Sequence, residues 1–565
     1  MGDPPEELEA EPPPLEPAPP AAGTSDAPPA QDSAPPSRSA SALALILASV
    51  VWVLAGGLPW LQCAEMPVGS HDAGWHLATG RLIYETGTVP QRDPFCSTSG
   101  DTDWVNLNYL AELGTYLVYL GGGLGGALAG TVALPFLLTL LLFTAQLRQR
   151  EVQPMWGLLA LAAIAWLVTP WFQLRPRVCS YVLAPLLLLL LGPDKNNEAL
   201  SWRRIAALVA LFVAWCQLHG GFIYGFAILG IDFLASSIQA YRAQDRPFVR
   251  TRAFGLGFAG LAGLLLGFAL HAHGFDALFH ALSYTINVGS MLPHILELMP
   301  TYVWVFERRS APIAVAVGVL LVAVAAGFLA RRKTAEPEPL RLRDPLLLAF
   351  FTFLALRYVR ALPFALLIAL PWSAAQLSRR FGSPSAGFLS LAWRRLGAGL
   401  VVFALLWGVL RLPRRLDPEV SPRTPGDVLS PFWRASRGLP VRCASWLQSA
   451  PQNLRFYNYY HSGGLLTWAL YGQRRVFIDG RGDLHNYSGA WTAHVMFSNI
   501  EPGWEQSWQR LAPHVALLLR GCKLQGALEE RGWKFVTDDP DWVLLADPRF
   551  YPQIPAHMRQ SPVPR

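Results

Sequence analysis

The sequence predicts an α-helical polytopic membrane protein of about eleven spans that ends in a small α/β domain outside the membrane. Three observations carry this. Of 565 residues, 52% are hydrophobic and 15% charged, with a mean hydropathy of +0.28, which is too little charge for a soluble chain of this length. Apolar runs recur along the chain with arginine clusters between them. Past Leu412 these runs stop, and short β-like and helical stretches alternate instead. The 21 Trp suit rings that anchor at headgroup level. The net charge of +7 comes from arginines between apolar runs, so the lipid bilayer, and not nucleic acid, is the expected partner.

Residues 1–41 are Pro, Ala and acid with almost no large apolar side chain, and cannot offset their ordering entropy, so they read as a disordered cytoplasmic tail. The membrane domain then covers 42–412. Leu43–Leu61 is an uncleaved signal anchor. The first outer loop, 62–121, holds the polar stretch Gln62–Asn106 with turn signals at Gly87, Pro90, Asp93-Pro94 and Gly100. A short surface helix is expected over Leu107–Leu120, and Gly121–Gly126 leads into a span ending at Leu147. Further spans fall near Met155–Phe172, Ser180–Leu191, Ile205–Leu218, Phe222–Ala240, Phe254–Leu270, Ala311–Leu329, Pro345–Leu356, Ala361–Gln376 and Leu396–Leu412. With the N-terminus in the cytoplasm, the inner links hold roughly twice the Lys and Arg of the outer ones. The first loop, Gln173–Cys179, His219-Gly220, His271–Ser310, Arg357–Arg360 and the whole C-terminal region then lie outside a multi-pass cell membrane, in the periplasm if the cell has two membranes.

A Pro-rich linker, 413–439, precedes the extracytoplasmic α/β domain, 440–565. Its runs are Leu454–Tyr460, Gly463–Leu470, Arg475–Ile478, Val515–Leu519, Leu524–Glu530, Lys534–Thr537 and Asp541–Leu545. Gly463-Gly464, opening a helix after a strand, is a candidate anion cradle. Cys63 with Cys96, or Cys443 with Cys522, can pair in an oxidising compartment.

The chemistry is expected around Ser70-His71-Asp72-Ala73-Gly74-Trp75-His76, just past the first span, because ionisable groups at a membrane face mark a site by default. Asp72 can act as a general base or hold a divalent metal. It can equally be a helix N-cap ahead of Trp75-His76-Leu77. His71 and His76 are candidate ligand-binding residues, with a spacing that defines no metal geometry. Arg175 and Arg177 run against the charge bias, so they either hold phosphate oxygens or snorkel to headgroups. Arg357 and Arg360, three apart on the outer side, share a helix face and suit a lipid-linked phosphate. His219, in a tip whose glycines permit the turn, is a site residue or a solvated one. His271, His273, His280, Glu297 and Glu307 are too scattered to assign. Asp479-Gly-Arg481-Gly-Asp483 is a ligand loop or a turn with an internal ion pair.

With these residues in hand, the chain resembles bacterial multi-spanning proteins related to the GT-C superfamily of glycosyltransferases, which use polyprenyl-phosphate-linked sugars. The motifs are Asp72-x-Gly-Trp-His-Leu-Ala-Thr-Gly80, Gly87-x-x-Pro90-x-x-Asp93-Pro94-Phe95, Arg175-Pro176, Trp215-x-x-x-His219-Gly-Gly-Phe222, Leu356-Arg357-x-x-Arg360-Ala-Leu-Pro363, Asn458-Tyr-x-x-x-Gly463-Gly464 and Val476-Phe-Ile-Asp479-Gly-Arg481-Gly-Asp483. The resemblance implies a GT-C-like membrane domain and a catalytic acid in the first outer loop, often in an Asp-x-Asp-like pair. Here the pair is reduced to Ser70-His71-Asp72, and Asn108-Tyr109-Leu110 stands where relatives tend to carry Glu-Trp-Leu, which weakens the case for a divalent metal cofactor.

The reading that follows is sugar transfer from a polyprenyl-phosphate donor at the outer face. Asp72 would be catalytic, Arg357, Arg360 and Arg175 would face the leaving phosphate, and His219 would line the cavity. The C-terminal domain would cover the site or recognise the acceptor. The alternative is a catalytically degenerate member with a structural or assembly role. A transporter would need paired ions at mid-span, whereas the charges cluster at span ends.

Overall fold

The structure is a computed structural model, and it describes Gly2 and residues 71–100, 102–192, 199–243, 247–286, 299–332, 342–381 and 438–559. The expected spans Leu43–Leu61 and Leu396–Leu412 fall outside these residues, as do Ser70, Cys63 and Glu297. Each of the other apolar runs is a helix. Among the described residues six are long and apolar enough to cross a membrane: Tyr109–Gln149, Pro154–Trp171, Phe222–Arg242, Arg252–Ala269, Ala311–Arg332 and Val359–Phe381. The runs at Ser180–Leu191, Ile205–Leu218 and Pro345–Leu356 lie in helices of 14, 17 and 15 residues: Val178–Leu191, Trp202–Leu218 and Arg343–Arg357. At about 1.5 Å per residue such helices fall short of a ~30 Å hydrocarbon layer.

A helix begins at Tyr109 and leaves helical conformation at Gly122 and Gly123, close to the expected end at Leu120; beyond that break a second helical stretch runs through a π-helical turn, Ala129–Ala133, into Leu134–Gln149. The glycine run makes the break, where Gly123 takes φ +58°, ψ −154°, a conformation that favours a residue without Cβ. Among the described long apolar helices the most enclosed is Leu362–Phe381, buried nearly all round between Ala311–Arg332, Arg343–Arg357 and Pro154–Val168. Gly327 lets the Trp372 ring lie against its backbone.

The charges do not all sit at span ends. Asp232 lies within Phe222–Ala243 and is fully buried. Arg252 Nη2 reaches its Oδ2 at 2.6 Å and Arg343 Nη1 at 3.4 Å. The same guanidiniums donate to the carbonyls of Leu191 (2.8 Å) and Gly192 (2.7 Å), at the end of the Val178–Leu191 helix. Helix C-terminal carbonyls lack intrahelical partners, so this cluster satisfies a buried helix end and a buried acid together.

The C-terminal region holds a four-stranded sheet of order β1-β2-β4-β3: β1 Phe456–Asn458, β2 Val515–Leu519, β3 Lys534–Asp539 and β4 Trp542–Ala546. β1 and β2 are parallel and the other pairs antiparallel. Period-two alternation splits the sheet. Val515, Leu517 and Leu544 join the core that continues into the membrane helices, while Ala516, Leu518, Val543 and Leu545 face Trp491, Phe497, Trp504 and Trp508. The stretch Arg475–Ile478 forms no strand of this sheet. It pairs instead with the first loop through a parallel bridge between Cys96 and Val476, with Val476 N–H donating to Phe95 O (2.9 Å) and Ser97 N–H to Val476 O (2.8 Å). Cys96, Cys443 and Cys522 carry free thiols, so Cys443 and Cys522 do not pair.

Candidate functional site

Asp72 stands at the N-cap of the helix Ala73–Thr86, yet its side chain makes no capping bond. Its Oδ2 instead meets Arg175 Nη2 at 2.7 Å, with each side chain about one-fifth exposed (19% and 21%). A capping carboxylate contributes roughly 1 kcal/mol to a helix, so the turn away from the cap has to be offset by the arginine. The helix ends at Gly87, left-handed at φ +67°, whose N–H closes on Ile83 O at 2.8 Å.

Glycines set how deep this helix sits. A Cβ on Gly80 would come within 2.8 Å of Tyr116 Cβ, against the Tyr109–Leu128 helix. A Cβ on Gly74 would lie 2.7 Å from the Gly464 carbonyl carbon, and one on Gly464 would strike the His71 carbonyl oxygen. Gly463 is likewise packed on Ile478 and Asp479, 2.5 Å from Asp479 Cα for an added Cβ. Gly463-Gly464 is therefore no anion cradle. The helix it opens, Gly463–Ala469, has only seven residues, and its glycines are spent on close backbone packing.

Arg175 and Arg177 lie at the start of the Val178–Leu191 helix, Arg177 as its N-cap. Cations there oppose the helix dipole, which favours an anion at that end. Arg177 is buried and donates to Gln173 Oε1 at 2.7 Å. His219 is buried too. Its Nδ1 lies 2.7 Å from Ser180 Oγ and accepts from Gly221 N–H at 2.9 Å, while Trp215 Nε1–H donates to Ser180 Oγ at 2.8 Å. With Nδ1 the acceptor, this network assigns the imidazole proton to Nε2. Gly220 and Gly221 do not take left-handed backbones. Gly221 is needed because a Cβ would fall 2.6 Å from His219 Nδ1.

His76 lies one turn behind Asp72 and is 5% exposed, inside the protein. Its Nδ1 bonds Glu112 Oε1 at 2.8 Å, and Glu112 Oε2 accepts from Asn106 Nδ2 at 2.7 Å. Burial pushes the His76 imidazole well below the usual histidine range, and Arg175, His219 and Arg177 press the same way against Asp479. His71 packs edge-on to His461, ring centres 5.4 Å apart. The histidines between 271 and 280 have structural partners. His273 accepts Asn106 N–H at 3.1 Å, His271 packs on Tyr109 at 5.2 Å, and His280 Nε2 meets Asp483 Oδ2 at 2.9 Å.

Asp479 and Arg481 do not line an open surface. Arg481 Nη2 reaches Asp479 Oδ2 at 2.7 Å and Asp93 Oδ1 at 2.8 Å, with both acids almost fully buried. Its guanidinium lies over the rings of Trp104 (4.5 Å) and Phe95 (5.2 Å). His485 Nε2 adds a contact to Asp479 Oδ1 at 2.9 Å. Arg481 and His485 hold the Asp479 carboxyl well below the ordinary carboxylate range against the effect of burial. This is the internal ion pair that the loop's charge pattern allowed, extended to a first-loop acid.

Neither cluster fits a divalent metal as built. Cys96, Asp479 and His485 bring ligand atoms within 4.8 Å of one another. The Arg481 guanidinium occupies the same space, 3.4 Å from Cys96 Sγ, where it opposes a cation. At Asp72 too a guanidinium, that of Arg175, lies against the carboxylate.

Arg357 is exposed, its guanidinium 4.7 Å from the Tyr358 ring centre. Arg360 is half-buried in the short turn Val359–Ala361. The groups that sequence reasoning missed are Trp75, Asp93, Trp104, Ser180 and Gly480. Asp93 was visible as part of an Asp-Pro turn and of a family-like motif but had no role assigned to it, and the others carried no charge to mark them.

No family model matches the chain, and no curated protein does. It is similar to the oligosaccharyltransferase of Archaeoglobus fulgidus in its apo form (12% identity, 86% of this chain and 70% of that one, TM-score 0.47). It is similar to ArnT of Cupriavidus metallidurans bound to undecaprenyl phosphate (14%, 90% and 98%, 0.46). It is also similar to AglB of Archaeoglobus fulgidus in complex with an inhibitory peptide and a dolichol-phosphate (13%, 84% and 69%, 0.44).

Proposed function

We propose that the protein transfers a sugar from a polyprenyl-phosphate donor to a hydroxyl acceptor, at the non-cytoplasmic face. The observation that carries this is the Asp72–Arg175 pair, in which a carboxylate at a helix start forgoes capping and faces an arginine from another segment. In the proposed step Asp72 takes the acceptor's O–H proton. The freed oxygen bonds to the anomeric carbon as the C–O bond to phosphate breaks, and the lipid phosphate leaves with the electron pair. Arg175 and Arg177 offer planar donors to the departing phosphate beside a helix N-terminus that also favours an anion. Arg357 and Arg360 belong to the same proposal as further contacts to the lipid phosphate. No metal takes part in this step.

The test is the full chain in nanodiscs, incubated with a panel of polyprenyl-phosphate sugars and sugar acceptors and read by mass spectrometry. Transfer by the wild type and its loss in Asp72→Asn, with an unchanged melting profile, is the expected result. Full transfer by the Asp72→Asn protein would falsify the role of the carboxylate. No turnover by the wild type with any donor would favour the non-catalytic assembly role instead.

A further inference from the structure

The helical chain from Tyr109 to Gln149 is 41 residues long. At 1.5 Å per residue that is about 61 Å, twice the ~30 Å hydrocarbon layer, so only part of it can cross. One end carries Arg148 and Arg150. Counting about 20 residues back from Arg148 ends the crossing near Leu128. The break at Gly122 and Gly123 then falls in the polar layer beyond, which is roughly 5–8 Å deep on each side. Non-helical backbone is not tolerated against lipid tails. A Cβ on either glycine would meet nothing within 4 Å, so neither position is packed against protein. Residues 109–120 stand past this break, and their two faces are inverted relative to a helix that faces water. Leu110, Leu117, Val118 and Leu120 are 39–47% exposed. Gly114, between the first two, also borders open space. The buried face instead holds Tyr109, Glu112, Thr115 and Tyr116. Glu112 is the only charge in the stretch, and it is fully buried against His76. Tyr84, 54% exposed with its ring 5.7 Å from that of Tyr116, adds an aromatic of the kind that anchors at headgroup level.

We propose that residues 109–120 lie along the membrane, with the apolar face seated where acyl chains meet headgroups, in the leaflet remote from Arg148 and Arg150. Depth is the argument for lipid as the occupant. The stretch is tied at the break to headgroup level, and a helix of about 18 Å tethered there keeps its apolar side within reach of acyl chains. The opposite face carries the helix Ala73–Thr86: Gly80 abuts the Glu112 backbone, His76 bonds the Glu112 carboxylate and Tyr84 meets Tyr116. Packed helix axes lie about 8–10 Å apart, so the seat holds the helix that starts at Asp72 close to headgroup depth. The bilayer surface thereby sets the height of Asp72. The seat goes beyond the transferase reading and requires no turnover.

The experiment uses the full chain in nanodiscs of phosphatidylcholine and phosphatidylglycerol. Photoreactive p-benzoylphenylalanine stands in place of one residue at a time: Leu110, Leu117, Val322 or Tyr487. Val322, 68% exposed on Ala311–Arg332, is the control for lipid contact. Tyr487, 60% exposed in the C-terminal region, is the control for water. After irradiation, mass spectrometry of the peptides should find lipid adducts at 110 and 117, at a yield like that at 322 and well above that at 487. Each probe replaces an exposed apolar side chain with another, and Leu120 serves in place of Leu110 if that protein does not accumulate. Lipid adducts at 322 but none at 117 overturn the proposal, and so does a crosslink from 117 to a second copy of the chain. The crosslink is read without any sugar transfer, so a chain inactive with every donor would end the transferase reading and leave the membrane seat standing.

Discussion

Replacing Arg481 by Met should loosen the seam between the first loop and the C-terminal region in a pH-dependent way. The substitution keeps the stem against Trp104 and Phe95 but leaves Asp479 and Asp93 without their shared cation inside the protein. Breaking a buried ion pair from one side costs about 3–5 kcal/mol. The variant can limit this by protonating a carboxyl, which at pH 7 costs about 4 kcal/mol for a group of ordinary pKa near 4, falling by ~1.4 kcal/mol per pH unit of acidification. In the wild type the sign is opposite. The Asp479 pKa is depressed, so its contribution is fully present above the unfolded carboxylate value and is lost only as pH falls through the lower folded one. Titration of Asp479 thus leaves the wild-type seam unchanged between roughly pH 5 and 8, while loss of the shared cation makes the variant's weaken as pH rises. The amide hydrogens of Ser97 and Val476, which bond across the seam, report it by hydrogen exchange. This local measure is preferable to a melting curve, because a chain of this size need not unfold in two states. At pH 7 their exchange should speed up about 10²- to 10⁴-fold relative to wild type. Exchange within threefold of wild type at pH 8 would refute the account of Arg481 as the shared counter-ion.

Arg175→Gln should cost at most about 1 kcal/mol of stability, because the pair is partly solvated, yet lower transfer about 100-fold or more. Comparing melting profiles with turnover separates the two. Gly464→Ala should fail to accumulate in membranes or melt several degrees lower, since the new methyl would strike the His71 carbonyl; normal expression and melting would contradict the packing. Asp232→Asn leaves two buried guanidiniums facing a neutral amide and should destabilise by about 3–5 kcal/mol, read as lower thermal stability in detergent, with no change in acceptor KM.

Much of the helical frame was legible because burial in lipid demands long apolar runs, and runs such as Phe222–Ala240 or Ala311–Leu329 have no other use. β2 was legible for a similar reason, since Val515–Leu519 is a continuous apolar stretch bounded by polar residues. Asp72 and Arg175 could be read as charges in places where charge is unfavourable. That they face one another could not be read, because segments a hundred residues apart meet only through packing. The same limit hid Asp93: a carboxylate beside proline looks like a turn until Arg481 arrives from the far end of the chain. Gly463-Gly464 misled because a phosphate cradle and a close helix crossing both ask for glycine. Asp232 could have been found. It is the only acid in its apolar run, and a lone acid there signals a partner.

The backbone ladder between Cys96 and Val476, the interlocked Gly74 and Gly464, and the Arg481 cluster join the C-terminal region to the first loop at three separate points. A cap fastened this way cannot swing like a hinged door, since lifting it would strand two carboxylates and a guanidinium in a poorly polarisable interior. Under the proposed function, a lipid-borne donor would then reach Asp72 sideways, between helices from the bilayer.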